Sequence, residues 1–237
     1  MASSPAAALP DNWPVMSIER ANAALTAKGA PFELEEALIR GVSMPVYKNA
    51  YPTMRALLET GSETWAPRDM LVYEDDRVTF SAHAKAVQHL ARALSTTFGL
   101  QKGDRVAICM RNYPQWSVAF WACMVSGFIA TPLNSWWKGD ELEYGLENSG
   151  AKIAIVDPQI FERIQNHWTK LDGLTNIIIA RSEDEYSDPN VTSLEELIGE
   201  ANSWASLDSI PLPDVDIEPD DDATLMYSSG TTGQPKG

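Results

Sequence analysis

The chain has 237 residues, 44% of them apolar and 22% charged, with two cysteines and a formal net charge of −15. That is enough for one large domain or two small ones around a substantial core. The charge excludes nucleic acid as a partner, because phosphate backbones demand a basic face, and two cysteines exclude a disulfide framework.

Met1 to Pro14 has neither the basic nor the apolar segment of a secretory signal, and no later apolar run reaches membrane-spanning length. Residues 1–16 read as a flexible arm, and residues 17–70 as a helix and hairpin lead-in. Ser17 to Lys28 predicts an amphipathic helix stopped by Gly29, and Phe32 to Lys48 a hairpin around Gly41. A second helix starts over Pro52 to Leu58.

From residue 71 to 182 the pattern is that of a first α/β subdomain. Leu71 to Tyr73 and Val78 to Phe80 predict short strands around Glu74-Asp75-Asp76. Ser81 is the expected cap of a helix reaching Phe98, with Ala84, Val87, Leu90, Ala91 and Leu94 on one face. Strands are expected at 105–110, 128–133, 152–156 and 176–180. The helices between them are Pro114 to Ser126, Glu141 to Asn148 and Phe161 to Leu171. Continuously apolar strands alternating with helices give an α/β class, a parallel sheet flanked by helices on both faces. Cys109 and Cys123 fall in apolar stretches and read as buried free thiols, which suits a reducing compartment.

Residues 183–222 form an acidic connector with a short helix from Ser193 to Ala201. From Ser182 to Pro235 there are 14 acids and no base, so the net charge is concentrated in one region. Asp214, Asp216, Glu218, Asp220 and Asp222 alternate like a calcium loop. Pro219 stands where that loop needs Gly, and Leu225 where it needs Glu, so a solvated connector is expected and no metal site. His83, His89 and His167 have no ligand spacing and are assigned surface or capping roles. Trp116, Trp121, Trp136 and Trp137 are assigned to packing.

Residues 223–237 open a second, incomplete part of the fold with a strand over Ala223 to Tyr227. Next comes Ser228-Ser229-Gly230-Thr231-Thr232-Gly233-Gln234-Pro235-Lys236-Gly237. Hydroxyls and backbone N–H groups among glycines can converge on phosphate oxygens. Lys236, the only base in the last 56 residues, adds a positive charge. A Walker A loop counted from Gly230 would need Gly where Pro235 stands.

The segment from Tyr227 to Gly237 resembles the phosphate loop of the adenylate-forming superfamily, which includes acyl-CoA synthetases, luciferases and adenylation domains. Upstream, Gly99 to Ile108, Trp116 to Gly127, Thr131 to Asn134, Glu141 to Tyr144 and Asn148 to Lys152 resemble further family segments in order, so the likeness spans about Tyr47 to Gly237. It implies an acid–CoA ligase. A fatty or aromatic carboxylate attacks the α-phosphorus of Mg-ATP, and coenzyme A then displaces AMP to give a thioester. The resemblance assigns ATP phosphate binding to Ser228, Ser229, Gly230, Thr231, Thr232, Gly233 and Lys236. It places the family's adenine-stacking aromatic, metal-binding Glu, ribose-binding Asp and catalytic Lys downstream of Gly237, so catalytic residues are unassigned and the chain alone is expected to be an inactive fragment. A cytoplasmic or peroxisomal location is expected. Two other readings stay open: an adenylation domain loading a carrier protein, and a non-catalytic truncated product that binds nucleotide weakly.

Overall fold

In the computed structural model, residues 15–182, 184–228 and 235–237 are described. Most of the expected N-terminal arm lies outside them. The chain divides into two compact units, Met1–Tyr51 and Pro52–Gly237.

In the first unit, the Ser17 hydroxyl accepts from Arg20 N and starts α1 (Ile18–Leu25). β1 (Leu34–Ile39) and β2 (Val42–Tyr47) then pair antiparallel. Their two-residue turn, Arg40-Gly41, has both φ angles positive, at 48° and 84°. That is the turn whose twist matches a hairpin. None of these three elements contains a fully buried residue.

The second unit is built on β5 (Arg105–Cys109), β6 (Ile129–Pro132), β7 (Ala151–Val156), β8 (Asn176–Ile179) and β9 (Val191–Ser193). They form a parallel sheet in the order β6-β5-β7-β8-β9. The α-helices among this unit's described residues are α2 (Met54–Thr64), α3 (Phe80–Arg92), α4 (Pro114–Ser126), α5 (Gly139–Ser149), α6 (Pro158–Ile164) and α7 (Leu194–Ile198). A separate antiparallel pair, β3 (Asp69–Tyr73) and β4 (Asp76–Thr79), precedes α3.

The two-residue period of the strands sorts their side chains into two cores. Val106, Ile108, Ile153, Ile155 and Ile178 join Val87 and Leu90 of α3 and Val118 and Ala122 of α4. Ala107, Cys109, Ala154, Val156, Ile177 and Ile179 join Leu142 and Leu146 of α5 and Ile160 and Ile164 of α6. Each fully buried Leu or Ile contributes about 1.5–3 kcal/mol relative to exposure. Both faces of the sheet are therefore covered, which explains why its strands read as unbroken apolar runs. Cys109 and Cys123 are buried free thiols, one in each core. Burial pushes the Cys109 thiol up to about 12 and that of Cys123 also upward.

Several expectations need correction. The cap of α3 is Thr79, whose hydroxyl accepts from Ala82 N at 3.2 Å. Ser81 lies inside the helix, and Phe80 belongs to the helix and not to β4. The helix expected over Phe161 to Leu171 splits into α6 and a short 3-10 turn, Trp168–Lys170. The strand expected over Ala223 to Tyr227 is reduced to one parallel bridge, Thr224 to Ala130. His83 is no surface residue: it is fully buried on α3 with Nε2 3.0 Å from Ser117 Oγ of α4. Burial lowers its pKa from 6.5 to about 4.

The acidic connector is strapped down by bases. Lys102 Nζ reaches Asp221 Oδ2 at 2.7 Å and Asp216 O at 2.8 Å. Arg55 Nη1 donates to Pro213 O at 2.8 Å. Among the described residues no three or more His, Cys, Asp or Glu are grouped to hold a metal ion. None of the described helices is long and apolar enough to cross a membrane.

Candidate ATP phosphate site

The site begins at the free edge of β6. Leu225 N donates to Ala130 O at 2.9 Å, and Ala130 N donates to Ala223 O at 3.0 Å, so residues 223–225 run beside the edge strand. Three residues later Ser228 pairs with Lys236. Ser228 N donates to Lys236 O at 2.8 Å, and Lys236 N donates back to Ser228 O at 3.0 Å. This is a hydrogen-bonded antiparallel pair, and directly opposed residues carry their side chains on one face. The Ser228 and exposed Lys236 side chains therefore leave the pair on one side, with the Ser228 hydroxyl donating to Lys236 O at 3.3 Å. Ser229, Gly230, Thr231, Thr232 and Gly233, the other residues expected to bind phosphate, lie outside the described residues.

Tyr227 anchors the base of the loop. Its hydroxyl donates to Asn148 Oδ1 at 2.7 Å. Its ring meets the Trp137 ring edge-on, with centroids 5.9 Å apart. Burial raises the phenol's pKa above its ordinary value, so it remains a donor at neutral pH. Gly237 packs against the same ring: a Cβ there would come 2.7 Å from Tyr227 Cζ. The closing glycine of the motif is thus required by close approach. Pro235 is buried beside it.

A second feature lies at the carboxyl ends of β5 and β6. A cavity of about 580 Å³ is lined by Met110, Arg111, Tyr113, Leu133, Asn134 and Trp136, among others. Trp136 does not pack in a core, as expected from sequence; it is 73% exposed. The Arg111 guanidinium stacks on it at 4.7 Å and also donates to Gln159 Oε1 at 3.0 Å. Arg111 N donates to Asp157 Oδ2 at 3.1 Å, which holds this loop against the end of β7. The strand order reverses between β5 and β7, and ligands of open α/β sheets bind at such a point. Arg111 did not stand out in the sequence, and Asn148 stood out only as the start of a family-like segment, with no role attached. Arg111 was findable as the residue directly after the strand expected at 105–110; nothing local to Asn148 signals its contact with Tyr227.

The family described as AMP-binding enzyme matches residues 58–237. The chain belongs to that family. Within that family it resembles the 2-succinylbenzoate–CoA ligase of Bacillus velezensis, with 32% identity over 171 residues, 72% of this chain and 30% of that protein. It also resembles the benzoate–CoA ligase of Thauera aromatica, with 29% identity over 168 residues, 70% of this chain and 29% of the other. The chain thus spans about 30% of the length of the curated relatives it matches. Among solved structures, the anthranilate CoA ligase AuaEII in complex with anthranoyl-AMP superposes with a TM-score of 0.67 at 24% identity, covering 79% of this chain and 34% of that one. That likeness concerns the fold alone. The inhibitor-bound N-terminal domain of FACL13 from Mycobacterium tuberculosis superposes with a TM-score of 0.64 at 26% identity, covering 79% and 44%.

Proposed function

We propose that this chain carries the ATP phosphate-binding part of an acid–CoA ligase. The observation that carries the reading is the Ser228–Lys236 pair, which sets a serine and a lysine side chain on one side near the sheet edge. Those groups fit a polyphosphate. The Ser228 hydroxyl exchanges its long bond to Lys236 O for one to a phosphate oxygen, and the lysine offsets charge on the α-phosphate and departing pyrophosphate. The loop residues 229–233 add further donors by their resemblance to the family motif. ATP supplies the phosphorus that the carboxylate attacks, and magnesium arrives with ATP, since the described residues offer no acid cluster for it.

Aromatic acids are the favoured substrate class, because the relatives named for 2-succinylbenzoate, benzoate and 4-coumarate all act on ring-bearing acids. The cavity beside Arg111 and Trp136 suits a flat, anionic group such as the nucleotide end of coenzyme A. Calorimetric titration of the chain with Mg-ATP tests the central reading. Lys236→Ala is expected to weaken binding by about tenfold or more, the usual effect of losing a charged hydrogen-bond donor. Equal affinity in the two proteins would reject Lys236 as a phosphate ligand.

A further inference from the structure

We infer that Asn148, at the exposed end of α5, is a positioning residue for the paired Ser228 and Lys236 and acts through Tyr227. The inference rests on the phosphate-binding reading and adds to it a residue remote from the motif. The two backbone bonds of the Ser228–Lys236 pair close the loop, but a two-residue bridge alone is marginal and does not fix which way the pair faces. That orientation is fixed one residue earlier, at Tyr227. Its hydroxyl is held by Asn148 at 2.7 Å, and its ring is bounded by Trp137 on one side and Gly237 on another.

Both outside contacts trace back to α5. Asn148 belongs to it, and Trp137 lies so close to it that a Cβ on Gly145 would sit 2.9 Å from the indole. The end of α5 is in turn tied to the central strand. Arg105 of β5 donates from Nε to Ser149 O at 3.0 Å and from Nη2 to Gly150 O at 2.8 Å. Gly150 caps the helix with φ of 61°, and a side chain there would strike that guanidinium at 2.7 Å. A continuous brace therefore runs from β5 through Arg105, the end of α5, Asn148 and Tyr227 to the paired Ser228 and Lys236. Misplacing a phosphate ligand by an ångström is enough to weaken it greatly. The Tyr227–Asn148 bond is neutral and near the surface, so its loss disturbs orientation more than stability.

The test is Mg-ATP affinity beside the thermal midpoint, for the unsubstituted chain and for Tyr227→Phe, Asn148→Ala, Asn148→Asp and the double variant Tyr227→Phe/Asn148→Ala. Phenylalanine keeps the ring contact with Trp137 and removes only the hydroxyl. Each of Tyr227→Phe and Asn148→Ala is expected to weaken Mg-ATP by about three- to tenfold, with midpoints within about 3 °C of the parent. The double variant should bind no more weakly than either single, because one shared bond is lost. Asn148→Asp retains an acceptor and should recover most of the affinity. Unchanged affinity in the singles, additive losses in the double, no recovery with Asp, or an affinity that falls only in step with the midpoint would each overturn the inference and leave the phosphate site standing. Failure of the unsubstituted chain to bind Mg-ATP would remove both.

Discussion

His83 shows how one side chain can set a pH limit on the whole unit. Its imidazole is fully buried between α3 and α4, and burial holds its pKa at about 4 instead of 6.5. The folded state thus disfavours the protonated ring. Between pH 6.5 and about 4 the unfolded chain binds more protons than the folded one, so stability falls as pH falls through that window. The full effect is about 3 kcal/mol. Urea midpoints measured at steps from pH 7 to pH 4 should decline, and His83→Gln should flatten the decline. The position was misread from sequence because a histidine is ordinarily polar, although it stands four residues before Val87 and seven before Leu90, on the face already read as apolar. Trp136 failed in the opposite sense: it adjoins the buried Trp137, and only the structure shows that one indole faces the core and the other Arg111.

At the scale of elements, legibility followed punctuation. Pro114 and Gly127 bound α4, and both ends were readable, because Pro is preorganised for a first turn and Gly for a left-handed stop. Gly127 has φ of 68°, and a Cβ there would lie 3.0 Å from Lys102 Cγ. Gly127→Ala should therefore destabilise the unit by about 1–2 kcal/mol, seen as a lower urea midpoint with unchanged slope. Because Lys102 also holds the acidic connector, proteolysis near Asp221 should quicken in the same variant. β9 was not readable: three residues among Asp, Asn and Ser offer too little period to separate from a turn. The strand after residue 222 was foreseen, yet only Thr224 pairs, and a residue's partner across a sheet edge is not a local property. The motif from Tyr227 to Gly237 was plain and Asn148 opened a family-like segment, whereas the bond between them was not legible, because Asn148 and Tyr227 are 79 positions apart.

At the scale of the molecule, a sheet covered on both faces makes two cores out of one set of strands, and each core holds one unionised thiol. An alkylating reagent attacks the thiolate, which neither cysteine forms while buried at neutral pH. Labelling therefore requires opening, and its rate measures how often each layer opens. Cys109 reports the layer under α5 and α6, and Cys123 the layer under α3 and α4. Mass spectrometry of timed labelling should give equal rates at the two positions if the layers open only together, and a faster Cys109 if the half that braces the loop loosens independently. Nucleotide added at saturation should then slow Cys109 more than Cys123. The two native thiols serve as a pair of clocks, set on opposite sides of the same sheet without any engineered label.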